Sequence, residues 1–168
     1  MYPDPKLKRI GDEVKQVNQE ISDIITDMFE TKYNTENCAA LAATQLDLNP
    51  AYRITVIDLS EKGDSPLCLI NPVIVESRGE QNELEGCMSV FPSYIHEKVK
   101  RAMYIKVRAM DREGKPIELE AEGYLAKCIQ HEVDHLNGLI YLDRLSKLKR
   151  ERIDKKIKIL RRRLSDEE

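Results

Sequence analysis

His131-Glu132-Val133-Asp134-His135 sets two imidazoles four residues apart with a carboxylate between them. On a helix, positions i and i+4 share a face, so both rings can reach one metal ion while Glu132 reaches a water beside it. That combination is hydrolytic: the ion draws the pKa of the water toward neutrality, and the carboxylate carries its proton. A chance match on an amphipathic surface helix is the competing explanation, and the apolar flanks of the motif speak against it.

A catalytic site of this type needs three protein ligands and an open position, so a third ligand must come from elsewhere. Four cysteines are available. Cys128 lies one turn before His131, where a side chain points back along the helix into the packing, and Cys68 sits in the apolar run Leu67-Cys68-Leu69-Ile70; both read as core. Cys38 opens a small-residue loop and stays a second candidate. Cys87, in Glu85-Gly86-Cys87-Met88-Ser89, is better placed, because irregular backbone after a glycine can aim a thiolate. His96 is the one remaining histidine, and a surface position is its default.

The elements that must hold these groups read as α+β. Tyr124, Leu125, Cys128, Val133 and Leu136 give the motif an apolar helix from Glu122 to Leu136, stopped by Asn137-Gly138. Val14, Val17, Ile21, Ile24 and Met28 recur at three- and four-residue steps, predicting a first helix over Glu13–Phe29. Strands are expected at Tyr52–Leu59, at Pro66–Ile70 and Val73–Ser77 on either side of Asn71-Pro72, and in a hairpin of Ala102–Met110 with Pro116–Ala121. Mixed or antiparallel sheets would pack around the central metal-binding helix.

With 168 residues and no internal repeat or linker, one domain spanning 1–168 is expected. No apolar run reaches membrane length and no signal-peptide pattern opens the sequence, so a cytoplasmic protein with reduced thiols is expected. Neither a membrane nor DNA is an expected partner. The net charge is −3, yet a last helix at about 145–163 is strongly basic, with only Glu151 and Asp154 against its lysines and arginines. Ile153, Ile157, Ile159, Leu160 and Leu164 stand at roughly helical spacing, predicting one packed side and a positive outer face, either solvated or an interaction surface.

Gln130 before the histidine motif, Glu85-Gly86-Cys87-Met88-Ser89, and Leu41-Ala42-Ala43-Thr44-Gln45 have the order and separations of three signature motifs. In these motifs the chain closely resembles the peptide deformylases, and the likeness runs from Tyr2-Pro3-Asp4-Pro5 to the basic last helix. The resemblance implies Cys87, His131 and His135 as metal ligands and Glu132 as general base and acid. It implies the Gln45 amide and the Met88 backbone N–H as donors to the developing oxyanion. Iron(II) is the favoured ion, with zinc, nickel or cobalt as alternatives, since imidazole and sulfur suit them all.

The implied substrate is an N-formylated peptide, by default one beginning with formyl-methionine, which pairs as an extra strand with Ala39, Ala40 and Leu41. The implied partner is the ribosome, met by the basic helix through phosphate contacts. Two departures stand out. Cys38-Ala39-Ala40 replaces the family's glycine-apolar-glycine triplet, and the added side chains should narrow the groove. Ala39, Glu83, Tyr124 and Lys127 correspond to positions around the substrate's methionine side chain, where apolar residues are usual; Glu83 and Lys127 either pair or face solvent. These departures motivate two alternatives: an amidase for a different N-formyl or N-acyl amine or non-Met peptide, and a weakly active ribosome-associated binding protein.

Overall fold

In the computed structural model, which describes residues 1–166, α1 (Gln19–Tyr33) precedes seven strands, and α2 (Gly123–Leu136) and α3 (Lys147–Asp166) follow them. The strands are β1 (Ala40–Ala42), β2 (Ile54–Ile57), β3 (Leu67–Arg78), β4 (Gln81–Glu85), β5 (Glu97–Arg101), β6 (Tyr104–Met110) and β7 (Pro116–Glu122). Five form a sheet in the order β1-β2-β3-β6-β7, and β4 pairs with β5 in a second, two-stranded sheet. Every ladder between these strands is antiparallel. The α+β arrangement matches expectation.

The helix α2 lies on the inner face of the large sheet because its apolar positions recur at helical spacing. Ala126, Ile129 and Val133 bury against Leu69, Ile105 and Val107, where each fully covered aliphatic chain contributes about 1.5–3 kcal/mol. Its end is fixed by a Schellman motif: Gly138 N–H reaches the His135 carbonyl and Leu139 N–H reaches that of Asp134. Gly138 holds φ +74°, and a side-chain carbon there would stand 2.4 Å from the Lys8 carbonyl oxygen. Only glycine satisfies both demands.

On the other side of the sheet's first two strands, α1 buries Ile21, Ile25, Met28 and Phe29 against Leu41, Ile54 and Val56. It begins six residues later than the periodicity predicts. Asn18 caps it by accepting from Ile21 N–H, and Val14 belongs instead to an extended segment whose N–H and C=O both bond to the Asn71 side chain. Asn71 also explains why the two strands expected around it are one. Its φ of +51° and the missing N–H of Pro72 make a bulge between Ile70 and Val73, and β3 continues across it. The β6–β7 hairpin matches expectation, whereas β1 is only three residues long and the β4–β5 pair too polar for periodicity to mark them as strands.

The third cluster fastens α3, which runs three residues further than expected, to the body of the molecule. Ile153 and Ile157 pack on Tyr2, Val90, Phe91 and Leu142, while Tyr2 donates its hydroxyl to Asp154 at 2.8 Å. Arg161 in turn donates to the Tyr2 carbonyl at 2.9 Å. Replacing Gly138 with alanine should lower folding stability by about 1–3 kcal/mol, from backbone strain and the lost approach of Lys8. The urea midpoint of Gly138→Ala against the parent protein measures it.

Candidate metal centre

Face positions on α2 decide what reaches the cleft. With Ala126, Ile129 and Val133 turned to the sheet, Tyr124, Cys128, His131 and His135 follow the opposite stripe. The irregular segment after β4 brings Cys87 to this stripe. Its sulfur lies 3.3 Å from His135 Nε2, and His135 Nε2 lies 3.2 Å from His131 Nε2. Around a tetrahedral ion with bonds of about 2.3 Å to sulfur and 2.0–2.1 Å to nitrogen, these separations would be about 3.5 and 3.3 Å. The donor set fits a divalent ion, and among the described residues it is the group of histidine, cysteine and acidic side chains brought within 4.8 Å for that purpose.

Second partners orient the rings and the sulfur. His131 Nδ1 donates to Glu85 Oε2 at 2.9 Å, which leaves Nε2 directed at the cluster. Arg101 grips the same carboxylate through two bonds, 2.8 and 3.0 Å, and reaches Asp134 Oδ2 at 2.6 Å. Arg144 closes the chain on the Asp134 carboxylate. Thr44 Oγ1 donates to the His135 carbonyl, tying α2 to the turn Ala43–Gln45. Gly86 has no side chain because the His96 ring occupies its place: a carbon there would be 2.6 Å from His96 Cδ2.

Electrostatics follow from burial and these contacts. Burial alone would raise the Glu85 carboxyl, but bonds from His131 and Arg101 outweigh it and hold the pKa at about 2. For His131, burial opposes charge, yet Cys87 and Glu85 prevail and lift the ring to about 10 while no cation is bound. His135 moves the other way, lowered by burial and by the neighbouring His131. Glu132 is 4 % exposed and burial raises it to about 7. Its Oε2 has no hydrogen-bond partner among the described residues. A dry, unpartnered carboxylate oxygen beside a ligand cluster is costly, and a bound water would satisfy it.

Gln45 is held by its carbonyl end, which accepts from Ala42 N–H at 2.9 Å. Its amide nitrogen therefore faces Ser89 Oγ at 3.0 Å and the Cys87 sulfur at 3.8 Å. The cleft measures about 570 Å³ and is lined by Ala39, Ala40, Gln45, Met88, Tyr124 and Lys127 along with Cys87, His131 and Glu132, while His135 lies buried behind them. Leu41 and Glu83 are not among its walls. Leu41 alternates away from Ala40 on β1 and buries under α1, and Glu83 stands exposed on β4. The Glu83–Lys127 pair does not form, because Lys127 donates to the Leu84 carbonyl at 3.0 Å and covers the Tyr124 ring.

The remaining cysteines are free thiols raised by burial, Cys68 to about 12. Cys38 donates to the Ala40 carbonyl rather than joining the cluster. Sequence reasoning missed Glu85, Arg101, Asp134 and Arg144. Asp134 lay inside the histidine motif and Glu85 two residues before the cysteine; nothing local marks either arginine. His96 is exposed as expected, but it lines the cleft.

A helix-borne His-Glu-x-x-His beside a cysteine sulfur, on an α+β frame, defines a metallohydrolase. The sequence model of the polypeptide deformylases matches residues 1–151, and the chain belongs to the peptide deformylase family. Peptide deformylase 1 of Coxiella burnetii is 58% identical over 161 residues, covering 96% of this chain and 94% of that one. The crystal structure of a peptide deformylase from Legionella pneumophila superposes with TM-score 0.85 at 38% identity, over 98% of this chain and 94% of that one. The deformylase of Ehrlichia chaffeensis in complex with actinonin gives 0.83 at 36% identity, over 94% and 92%.

Removing the Glu85 carboxylate frees the His131 ring and strands Arg101. Glu85→Ala should weaken metal affinity by about 10–100-fold, read by competition with a chromogenic chelator. In the metal-free protein, Glu132 has a folded pKa above its unfolded one. It therefore favours the fold most below about pH 4.5, and that contribution is lost as pH rises to about 7. Urea titrations across pH 4.5–7 should show Glu132→Gln gaining stability relative to the parent as pH increases.

Proposed function

We propose that the protein, as a single catalytic domain, hydrolyses the N-formyl group from the N-terminal formyl-methionine of newly made polypeptides, releasing formate. The observation that carries this reading is the buried, unpartnered Glu132 oxygen next to the Cys87, His131 and His135 donor atoms. A purely structural metal would leave no use for such a carboxylate. Cys87, His131 and His135 would hold the ion, for which iron(II) is the favoured identity and zinc, nickel or cobalt the alternatives. When bound, the ion supplies Lewis acidity and a water that ionises near neutral pH.

The residues divide the remaining work. The substrate strand lies along Ala39 and Ala40, at the free edge of β1, where backbone hydrogen bonds can position the formyl group. Glu132, buried beside the donor atoms with one carboxyl oxygen unpartnered, accepts the proton of the attacking water and returns it to the departing nitrogen. The Gln45 amide, aimed by its bond to Ala42, and the Met88 backbone N–H donate to the carbonyl oxygen as it gains negative charge. Enclosure between α2, β1 and the segment after β4 limits water and strengthens each of these interactions.

Ribosome contact is part of the same proposal. Ile153 and Ile157 of α3 are buried, whereas Lys155, Lys158 and Arg162 are exposed on a surface suited to phosphate. No described helix is long and apolar enough to cross a membrane. The decisive variant is Glu132→Ala, expected to lower kcat/KM for a formyl-Met peptide by about 10²–10⁴-fold. Metal content by elemental analysis should stay near one equivalent per chain on the order expected for a single site. Rates close to the parent's would overturn the assignment.

A further inference from the structure

The Arg9 side chain ends in a cage of backbone carbonyls. Its guanidinium donates from Nε to Thr44 at 3.0 Å, from Nη1 to Leu48 at 2.7 Å, and from Nη2 to Ala43 at 3.4 Å and to Leu46. Each of these bonds ends on a neutral oxygen, and among the described residues Arg9 makes no ion pair. The segment it grips cannot hold itself. Ala43–Gln45 is a single 3-10 turn closed by one backbone bond, from Leu46 N–H to the Ala43 carbonyl, and residues 46–48 belong to no helix or strand. Such a short turn leaves most of its carbonyls without backbone partners. Several carbonyls converging on one place call for a planar fork of N–H groups, which arginine has and lysine lacks.

The base from which Arg9 reaches is itself fixed to the ligand helix. Gly11 N–H donates to the Leu136 carbonyl at 2.9 Å, and Ile10 bridges to Asn137 in antiparallel register. Thr44 returns the connection, since its hydroxyl donates to the His135 carbonyl at 2.9 Å. The end of α2, the segment 9–11 and the turn 43–45 therefore close a circuit, and Arg9 is the link between the second and the third. Gln45 stands in that turn, with its side-chain carbonyl on Ala42 N–H and its amide directed at Ser89 and the Cys87 sulfur.

We propose that Arg9 is a positioning residue for the reaction: by clamping the carbonyls of the turn it fixes the Gln45 amide beside the donor cluster before substrate arrives. The assignment rests on the deformylase reading, with Gln45 as a donor to the oxyanion. Arg9 touches neither substrate nor ion and acts only through the turn. A donor of this kind works by placement, and a displacement of about 1 Å costs on the order of 10²-fold in rate. The oxyanion forms only as the bond to carbon is made, so a loosened turn lowers kcat and leaves KM nearly unchanged.

The test compares Arg9→Met, Arg9→Lys, Gln45→Ala and the two double variants on the metal-loaded full chain, with formyl-Met-Ala-Ser as substrate and formate release as readout. Arg9→Met should lower kcat by about tenfold or more, hold KM within about twofold and keep the parent's metal content. Arg9→Lys keeps the charge but reaches fewer carbonyls, so its kcat should fall between those of Arg9→Met and the parent; it carries the test alone where Arg9→Met does not fold. In the Gln45→Ala background either Arg9 change should lower kcat by less than about twofold more, because its effect passes through an amide already removed. Urea midpoints recorded on the same samples expose a merely structural role: lost stability with the parent's kcat overturns the proposal. So does an Arg9 effect that multiplies in full with that of Gln45→Ala, or a Gln45→Ala rate equal to the parent's. Absence of formate release by the parent overturns the deformylase reading and this assignment with it.

Discussion

The Arg101 guanidinium is the joint on which the site depends. It holds Glu85 on one side and Asp134 on the other, all three nearly free of solvent. Glu85 ends β4 two residues before Cys87, and Asp134 lies between the two histidines of α2. One buried cation therefore sets the distance between the sulfur just beyond β4 and the nitrogens on the central helix. Burying these charges gains little net stability, because desolvation offsets attraction. The return is geometric: the donor atoms face one another before any ion arrives, and the same Glu85 that answers Arg101 also fixes the His131 ring.

That arrangement accounts for Glu132. Its helix face is locked from behind by Ile129 and Val133 on the sheet and laterally by the Thr44 bond to His135. The carboxylate is 4 % exposed, and burial raises its pKa to about 7 while no cation is bound. In the proposed reaction this carboxyl would take a proton from water and return it to the leaving amine. Rigidity behind the helix and reactivity in front of it have the same cause.

The helix of the histidine motif was legible in the sequence because its apolar spacing, its Asn-Gly stop and its ligand spacing all agree, and the β6–β7 hairpin because its strands flank a plain turn. Cys87 stands out only by the single glycine before it, a weak signal that leaves Cys38 as a rival; the bond from the Cys38 thiol to the Ala40 carbonyl separates the two. The first helix was misread since Val14 continues its apolar period, and only the distant Asn71 side chain shows why Val14 is extended. Glu85, Arg101, Asp134 and Arg144 escaped notice because pairing across tens of residues leaves no local pattern. Strand alternation, likewise, separates Ala40 from Leu41, which the motif alone treats as neighbours in function.

Tyr2 links the two ends of the chain. Its backbone N–H bonds to Ser89, beside the sulfur-bearing segment, and its ring and carbonyl engage Asp154 and Arg161, 152 and 159 positions further on. Contacts of that separation form last on a growing polypeptide. Closure of this third cluster, and the final tightening of the segment next to it, must wait until synthesis has delivered α3. The packing beside the sulfur-bearing segment thus draws on an early and a late stretch of the sequence at once.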